Sequence, residues 1–141
     1  MEQNFLLKTH FALAFYMTGI IFLIQVIHYP LFAQVGVVNF PAYHAEHVRR
    51  TTSIIAIPML VELFTLFALF YIVPSYRTSS LFISNAILLI ITWGVTFFIS
   101  VPQHNILSQG FDTNAWSTLV NTNWIRTFAW LLRGLIIFKL L

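Results

Sequence analysis

The 141-residue chain contains no cysteine, and only 8% of its residues are charged. The absence of cysteine excludes disulfides, thiolate metal ligands and thiol nucleophiles. A soluble domain carries about 25% charged residues, so this chain has too few charges to cover a surface exposed to water. Hydrophobic residues make up 59% of it. This composition indicates an integral membrane protein with one domain over residues 1–141.

Several motifs of soluble enzymes are absent as well. The sequence has no glycine-rich phosphate loop, no HExxH motif and no GxSxG motif. The net charge of +3 comes from few residues, and no basic run is long enough to follow a nucleic-acid backbone. We therefore discount nucleotide binding, hydrolysis and a nucleic-acid partner.

Four apolar stretches approach the length that crosses a bilayer, which is about 20 residues. They cover residues 11–28, 54–73, 81–101 and 124–141. Because backbone groups in a bilayer core find partners only within their own segment, each stretch is predicted to be a helix. The prolines that follow Tyr29 and Val101 are predicted to end the first and third helices. The predicted fold is an all-α, four-helix transmembrane antiparallel bundle.

The basic residues slightly favour an orientation with both termini in the cytoplasm. The terminal side carries Lys8, Arg77 and Lys139. The opposite side, which we call the mouth, carries Arg49, Arg50 and Arg126, offset by Glu46 and Asp112. The mouth would then face away from the cytoplasm.

Scarce polar residues converge at the mouth. AEHVRRTT precedes the second apolar stretch and NTNWIRT leads into the fourth, while His28 and His104 lie at the ends of the first and third. Shifting the chain by 76 residues places His28 on His104, Arg50 on Arg126 and Thr51 on Thr127. These matches favour a duplicated helical hairpin around a pseudo-two-fold axis, with one central site at the mouth.

The histidines of the mouth are candidate metal ligands. They are His28, His44, His47 and His104. Imidazoles on neighbouring helices can bind copper, zinc or iron, or the iron of a haem. We discount a carboxylate-bridged di-iron site because it needs several inward glutamates. The alternative is that these histidines only donate hydrogen bonds to loop carbonyls or lipid headgroups.

The same residues could form a cationic pocket for an organic ligand. We expect His28, His104, Arg50 and Arg126 to act as the catalytic groups, because histidine transfers protons near neutral pH and arginine anchors carboxylates or phosphates. The candidate substrate-binding residues are Trp124, Asn105, Asn123 and Arg49. Such a pocket suits an anionic or quinone-like, lipophilic molecule whose tail enters the bilayer.

Glu62 and Arg133 are oppositely charged residues well inside the apolar stretches. A charge costs about 2.5–3.5 kcal/mol there on insertion scales and usually pairs. We predict a buried charge pair between them. It either locks the second helix against the fourth or contacts a proton or ligand.

Several segments together resemble a small bacterial four-span membrane protein family. They are IHYPLFAQVG, YHAEHVRRT, PMLVEL, VPQHNILSQGFD and NWIRTFAW, and they cover nearly the whole chain. The chain is also similar in length and layout to anthrone-oxygenase-like membrane proteins. These resemblances imply a bacterial inner-membrane location and the oxidation of an aromatic, polyketide-like substrate, without assigning residues to it.

The leading hypothesis is a small membrane oxidoreductase or ligand-binding protein with a histidine- and arginine-rich site at one membrane face. One alternative is a non-catalytic subunit or scaffold, whose polar groups contact lipids, a second copy of the chain or a larger membrane complex. Another is a small transporter, which needs a polar path to the other face.

Overall fold

The computed structural model describes residues 2–141, which form four long helices and no β-strand. Helix α1 comprises Glu2–Leu23, a π-helical turn at Ile24–His28 and two short turns, Tyr29–Leu31 and Phe32–Gln34. Helix α2 is Phe40–Ile72. Helix α3 comprises Ser80–Val95, a π-helical turn at Thr96–Ser100 and Val101–Leu107, and helix α4 is Thr113–Phe138. The predicted all-α bundle is confirmed.

Three helical stretches are long and apolar enough to cross a membrane, as expected for a membrane protein. They are Gln3–Gln34, Phe40–Ile72 and Ser80–Leu107. Helix α4 has 26 residues but does not belong to this group, because polar residues occupy its first half and Arg133 its second. The fourth predicted span, residues 124–141, therefore falls on a helix of mixed polarity.

Helix α1 lies between α2 and α4, and α4 packs along α3. Helix α2 makes its main contact with α3 only at the segment Val101–Leu107. A gap lies between residues 47–60 of α2 and residues 93–105 of α3. This gap borders the candidate site.

The two prolines that were predicted to end helices do not end them. Tyr29 donates its backbone N–H to the Ile24 carbonyl, and Val101 donates to the Thr96 carbonyl, so each bond spans five residues. Proline cannot donate and collides with the carbonyl four residues earlier in a regular α-helix. A wider π turn directly before each proline relieves that clash, and the helix continues beyond it.

A buried polar network joins the deep half of the bundle. The Glu62 carboxylate accepts from Arg133 Nη1 at 2.9 Å, and both side chains are completely buried, which confirms the predicted pair. Trp130 Nε1 donates to the other Glu62 oxygen at 3.1 Å. Arg133 Nε donates to Asn85 Oδ1 at 3.0 Å. The ion pair thus joins α2 to α4, and the hydrogen bond to Asn85 adds α3.

His10 adds α1 to this deep network. Its Nε2 accepts from Asn85 Nδ2 at 3.1 Å and from Arg133 Nη2 at 3.4 Å. Because Nε2 faces two donors, the ring proton is on Nδ1, which donates to Thr65 Oγ1 at 2.8 Å. The Thr65 hydroxyl donates in turn to the Val61 carbonyl at 2.8 Å. This closed arrangement favours the structural explanation of the charge pair, a lock between all four helices.

Removing one charge of the lock leaves the other buried without a partner. We expect Glu62→Gln to cost about 3–5 kcal/mol of stability, because breaking a buried pair strands its partner. Thermal unfolding in detergent measures this loss as a lower Tm. The control is Glu46→Gln, which removes an exposed carboxylate paired with Arg49 and should leave the Tm unchanged. Equal Tm values for the two variants would contradict the assigned lock.

Candidate functional site

The four histidines of the mouth form one group, which we call the histidine cluster: His28, His44, His47 and His104. The ring centroids of His28 and His47 are 4.6 Å apart, and those of His47 and His104 are 5.6 Å apart. His44 and His47 share one face of α2 because they are three residues apart. The convergence predicted from the sequence is therefore present, with rings from α1, α2 and α3.

The imidazoles of the cluster bond to one another. His28 Nε2 lies 2.6 Å from His47 Nδ1, and His44 Nε2 lies 3.0 Å from His104 Nδ1. Thr51 Oγ1 also approaches His47 Nδ1, at 3.2 Å. In residues 2–141, no three His, Asp or Glu side chains are arranged to hold a metal ion. In this arrangement the histidine nitrogens do not form a three-ligand site for the predicted copper, zinc or iron. The predicted haem stays a prediction.

A chain of hydrogen bonds connects Arg126 to the cluster. Arg126 Nη2 donates to the Tyr29 hydroxyl at 3.4 Å, and that hydroxyl lies 3.0 Å from His104 Nε2. Since the guanidinium can only donate, the tyrosine proton is free to point at His104. His104 then carries its proton on Nδ1 and donates to His44 Nε2. The remaining His44 nitrogen, Nδ1, is buried without a hydrogen-bond partner.

Arg126 is itself buried, with 5% of its surface exposed. Its Nε and Nη2 donate to Asn123 Oδ1, and its Nη1 donates to Thr96 Oγ1 at 3.2 Å. Asn123 is fixed from the other side, because its Nδ2 donates to Gln25 Oε1 at 2.8 Å. The guanidinium is therefore held rigidly by neutral groups.

A cavity of about 370 Å³ adjoins the histidine cluster and Arg126. Its polar end is lined by Tyr29, His47, Thr51, Thr96, His104, Asn105 and Arg126. Its apolar walls include Met17, Ile21, Ile55, Met59, Trp93 and Trp130. Such a combination, mostly apolar with a few convergent polar groups, is typical of small-molecule sites.

The cavity borders the outer surface in the gap between α2 and α3. Val48 and Leu60 of α2 line it and are 38% and 45% exposed. Phe97 and Val101 of α3 line it from the other side and are 55% and 41% exposed. In a bundle that spans a bilayer, an opening flanked by such exposed apolar side chains would face lipid.

Two residues that line the cavity have buried polar atoms without a hydrogen-bond partner. They are Ser100, through Oγ, and Trp93, through Nε1. Most buried polar groups in proteins are hydrogen-bonded, so each exception calls for an explanation such as a ligand. Both residues lie on α3, on either side of Thr96.

Three of the residues predicted at the mouth neither belong to the cluster, nor line the cavity, nor hold Arg126. Arg49 and Arg50 are exposed and pair with Glu46 one turn earlier. Arg50 lies about a quarter of a turn from the face of α2 that carries the histidines, since each residue advances the helix by about 100°. Trp124 is 37% exposed and stacks on Phe128. The catalytic role for Arg50 and the substrate-binding roles for Arg49 and Trp124 thus find no support in the geometry.

The other predicted site residues are closer to the site. Asn105 lies at the rim of the cavity and Asn123 holds Arg126. Sequence reasoning did not assign site roles to Tyr29 or Ser100, although Tyr29 shares a helix face with Gln25 and Ser100 shares one with Thr96. His10 was not considered because the first predicted span starts at residue 11. Since His10 lies within about 80° of Gln25 on α1, the helical periodicity of the polar residues could have identified it.

No protein family, curated protein or solved structure matches the chain. The resemblances to a bacterial four-span family and to anthrone-oxygenase-like proteins therefore stay predictions.

The hydrogen-bond chain predicts the ring tautomers of two histidines. We expect His104 and His44 to be neutral with the proton on Nδ1, because Arg126 orients the Tyr29 hydroxyl toward His104. Nitrogen-15 NMR of histidine-labelled protein distinguishes the two tautomers. Tyr29→Phe should release His104 into a mixture and leave His10 on Nδ1. A His104 proton on Nε2 in the unmodified protein would contradict the assigned direction.

Proposed function

We propose that this membrane protein binds a lipophilic molecule in the cavity between α1, α2 and α3. One observation carries the proposal: a cavity of about 370 Å³ that is polar at the mouth end, apolar elsewhere and bordered by exposed apolar side chains of α2 and α3. The ligand's polar head meets Tyr29, His104 and Arg126. Its apolar part lies against the walls near Met17 and Met59.

Entry from the bilayer explains why the opening is lateral. A lipophilic molecule partitions into the membrane first, and the gap between α2 and α3 gives it a path that never crosses water. A quinone-like head carries hydrogen-bond acceptors, and Arg126 and Ser100 supply donors at that end. Burying most of a ligand's surface in such a pocket is typical of small-molecule binding.

Filling the cavity should abolish this binding. Ala56 lines the cavity on α2, so Ala56→Trp places an indole in the space. A benzoquinone with a short isoprenoid tail serves as the probe, since it quenches tryptophan fluorescence and Trp93 and Trp130 line the cavity. We expect saturable quenching in lipid nanodiscs and binding weaker by about tenfold or more in Ala56→Trp.

The matched control is Ala12→Trp, which adds the same indole to an exposed position on α1 outside the cavity. It should bind the probe as the unmodified protein does. Quenching that does not saturate, or that Ala56→Trp leaves unchanged, would overturn the proposed binding site.

Oxidoreductase chemistry at a metal ion is the second proposal, and the meeting of four imidazoles favours it. A rotation of the rings would be needed, because no three of them are arranged to hold an ion in residues 2–141. Elemental analysis of purified protein tests it. A stoichiometric transition metal that is lost in His47→Gln and kept in His10→Gln would support it, and a metal-free protein would refute it.

A scaffold role and transport remain alternatives to ligand binding. Transport is disfavoured because the layer of Met17, Met59 and Trp130 and the closed deep network fill the bundle between the cavity and the terminal side. We further propose that both termini lie in the cytoplasm and that the membrane is a bacterial inner membrane. An aromatic, polyketide-like substrate is also a proposal. A homo-oligomer or a larger complex would be detected by the mass of the solubilised particle.

A further inference from the structure

The bundle contains two buried arginines with opposite electrostatic surroundings. Arg133 has a carboxylate partner in Glu62, at 2.9 Å. Arg126 has none among the described residues: its guanidinium contacts only the side chains of Asn123, Thr96 and Tyr29. Both arginines are at least 95% buried. One buried cation is therefore neutralised within the chain and the other is not.

The described carboxylates are all engaged elsewhere. Glu46 pairs with Arg49 and Arg50 on the surface of α2. Asp112 caps α4 by accepting from the Ala115 amide at 2.7 Å. A buried charge without a counter-charge is strongly unfavourable, and charged groups inside membrane proteins usually pair. The surroundings of Arg126 are those of a site whose negative charge comes from outside the chain.

The position of Arg126 indicates where that charge would come from. The residue lines the polar end of the cavity, which borders exposed apolar side chains of α2 and α3. Ser100 lines the same cavity, is 2% exposed, and has an Oγ without a hydrogen-bond partner. A guanidinium and an unengaged hydroxyl in one cavity are suitable donors for a carboxylate.

We propose that the ligand is a single-chain anionic amphiphile, with a carboxylate-like head at Arg126 and Ser100 and a hydrocarbon tail in the apolar part of the cavity. This inference rests on the proposed function and names the ligand class. The cavity volume, about 370 Å³, lies within the range of about 300–1,000 Å³ that small-molecule pockets have. The tail continues toward the lipid past Leu60 and Phe97.

The test compares two probes that differ only in the charge of the head. One is a brominated medium-chain carboxylic acid and the other is the brominated alcohol of the same chain length, since bromine quenches tryptophan. Binding is measured in phosphatidylcholine nanodiscs from quenching of the cavity tryptophans. We expect the acid to bind about tenfold more tightly or better, because hydrogen bonds to charged groups are the stronger ones.

Arg126 variants assign that preference to one residue. Arg126→Gln should remove the preference for the acid by weakening the binding of the acid far more than that of the alcohol, whereas Arg126→Lys should retain part of the preference. Arg49→Gln is the matched control, because Arg49 is an exposed arginine of the mouth outside the cavity. Without probe, Arg126→Gln should lower the Tm less than Glu62→Gln does, since it removes a buried charge without a counter-charge and loses only hydrogen bonds to neutral groups. An equal or larger loss of Tm would contradict that assignment.

The outcomes separate this inference from the proposed function. If acid and alcohol bind with equal affinities and Arg126→Gln changes neither, the ligand is not an anion. Saturable binding of both probes would still support the proposed binding site. Non-saturable quenching by both probes would overturn both. Replacing phosphatidylcholine by anionic phosphatidylglycerol shows whether the anion is a single-chain molecule or a phospholipid headgroup. Unchanged binding of the acid supports a single-chain ligand. If phosphatidylglycerol competes with the acid and weakens its binding, the ligand is instead a phospholipid headgroup.

Discussion

The ion pair between Glu62 and Arg133 is the interaction on which the rest of this bundle depends. A membrane interior offers no water to solvate either charge, so each is stable only against the other. The Glu62 carboxylate also accepts from Trp130, and the Trp130 ring lines the cavity. The deep network thus holds the helices together and at the same time positions one wall of the candidate ligand site.

The two π turns have a comparable double effect. Each relieves the clash before a proline, and each carries or adjoins side chains that the site uses, Tyr29 after the first and Ser100 in the second. π turns are rare and frequently occur at functional sites. They recur 72 residues apart (residue 24 to residue 96), whereas the polar matches of the sequence recur at 76. The duplication of a hairpin stays a prediction.

Much of the fold and part of the site could be predicted because charged residues and histidines are scarce in this sequence. Charges are so few that Glu62 and Arg133 had to be paired, and the histidines gathered at one end of the predicted helices. Side-chain direction could not be predicted as well. Arg50 matches Arg126 in the sequence shift but lies a quarter of a turn from the inner face of α2, where Glu46 holds it. The gap between α2 and α3, and the missing counter-charge of Arg126, depend on helix order and packing.

The central claim is that the lateral cavity binds an amphiphile head-first at Arg126. A high-resolution cryo-electron microscopy map of the protein in native lipid, with a bound antibody fragment to increase its size, tests this most directly. The account predicts elongated density that enters between α2 and α3, with its head within hydrogen-bond distance of Arg126. A cavity closed by contact between α2 and α3, or a protein carboxylate paired with Arg126, would contradict it.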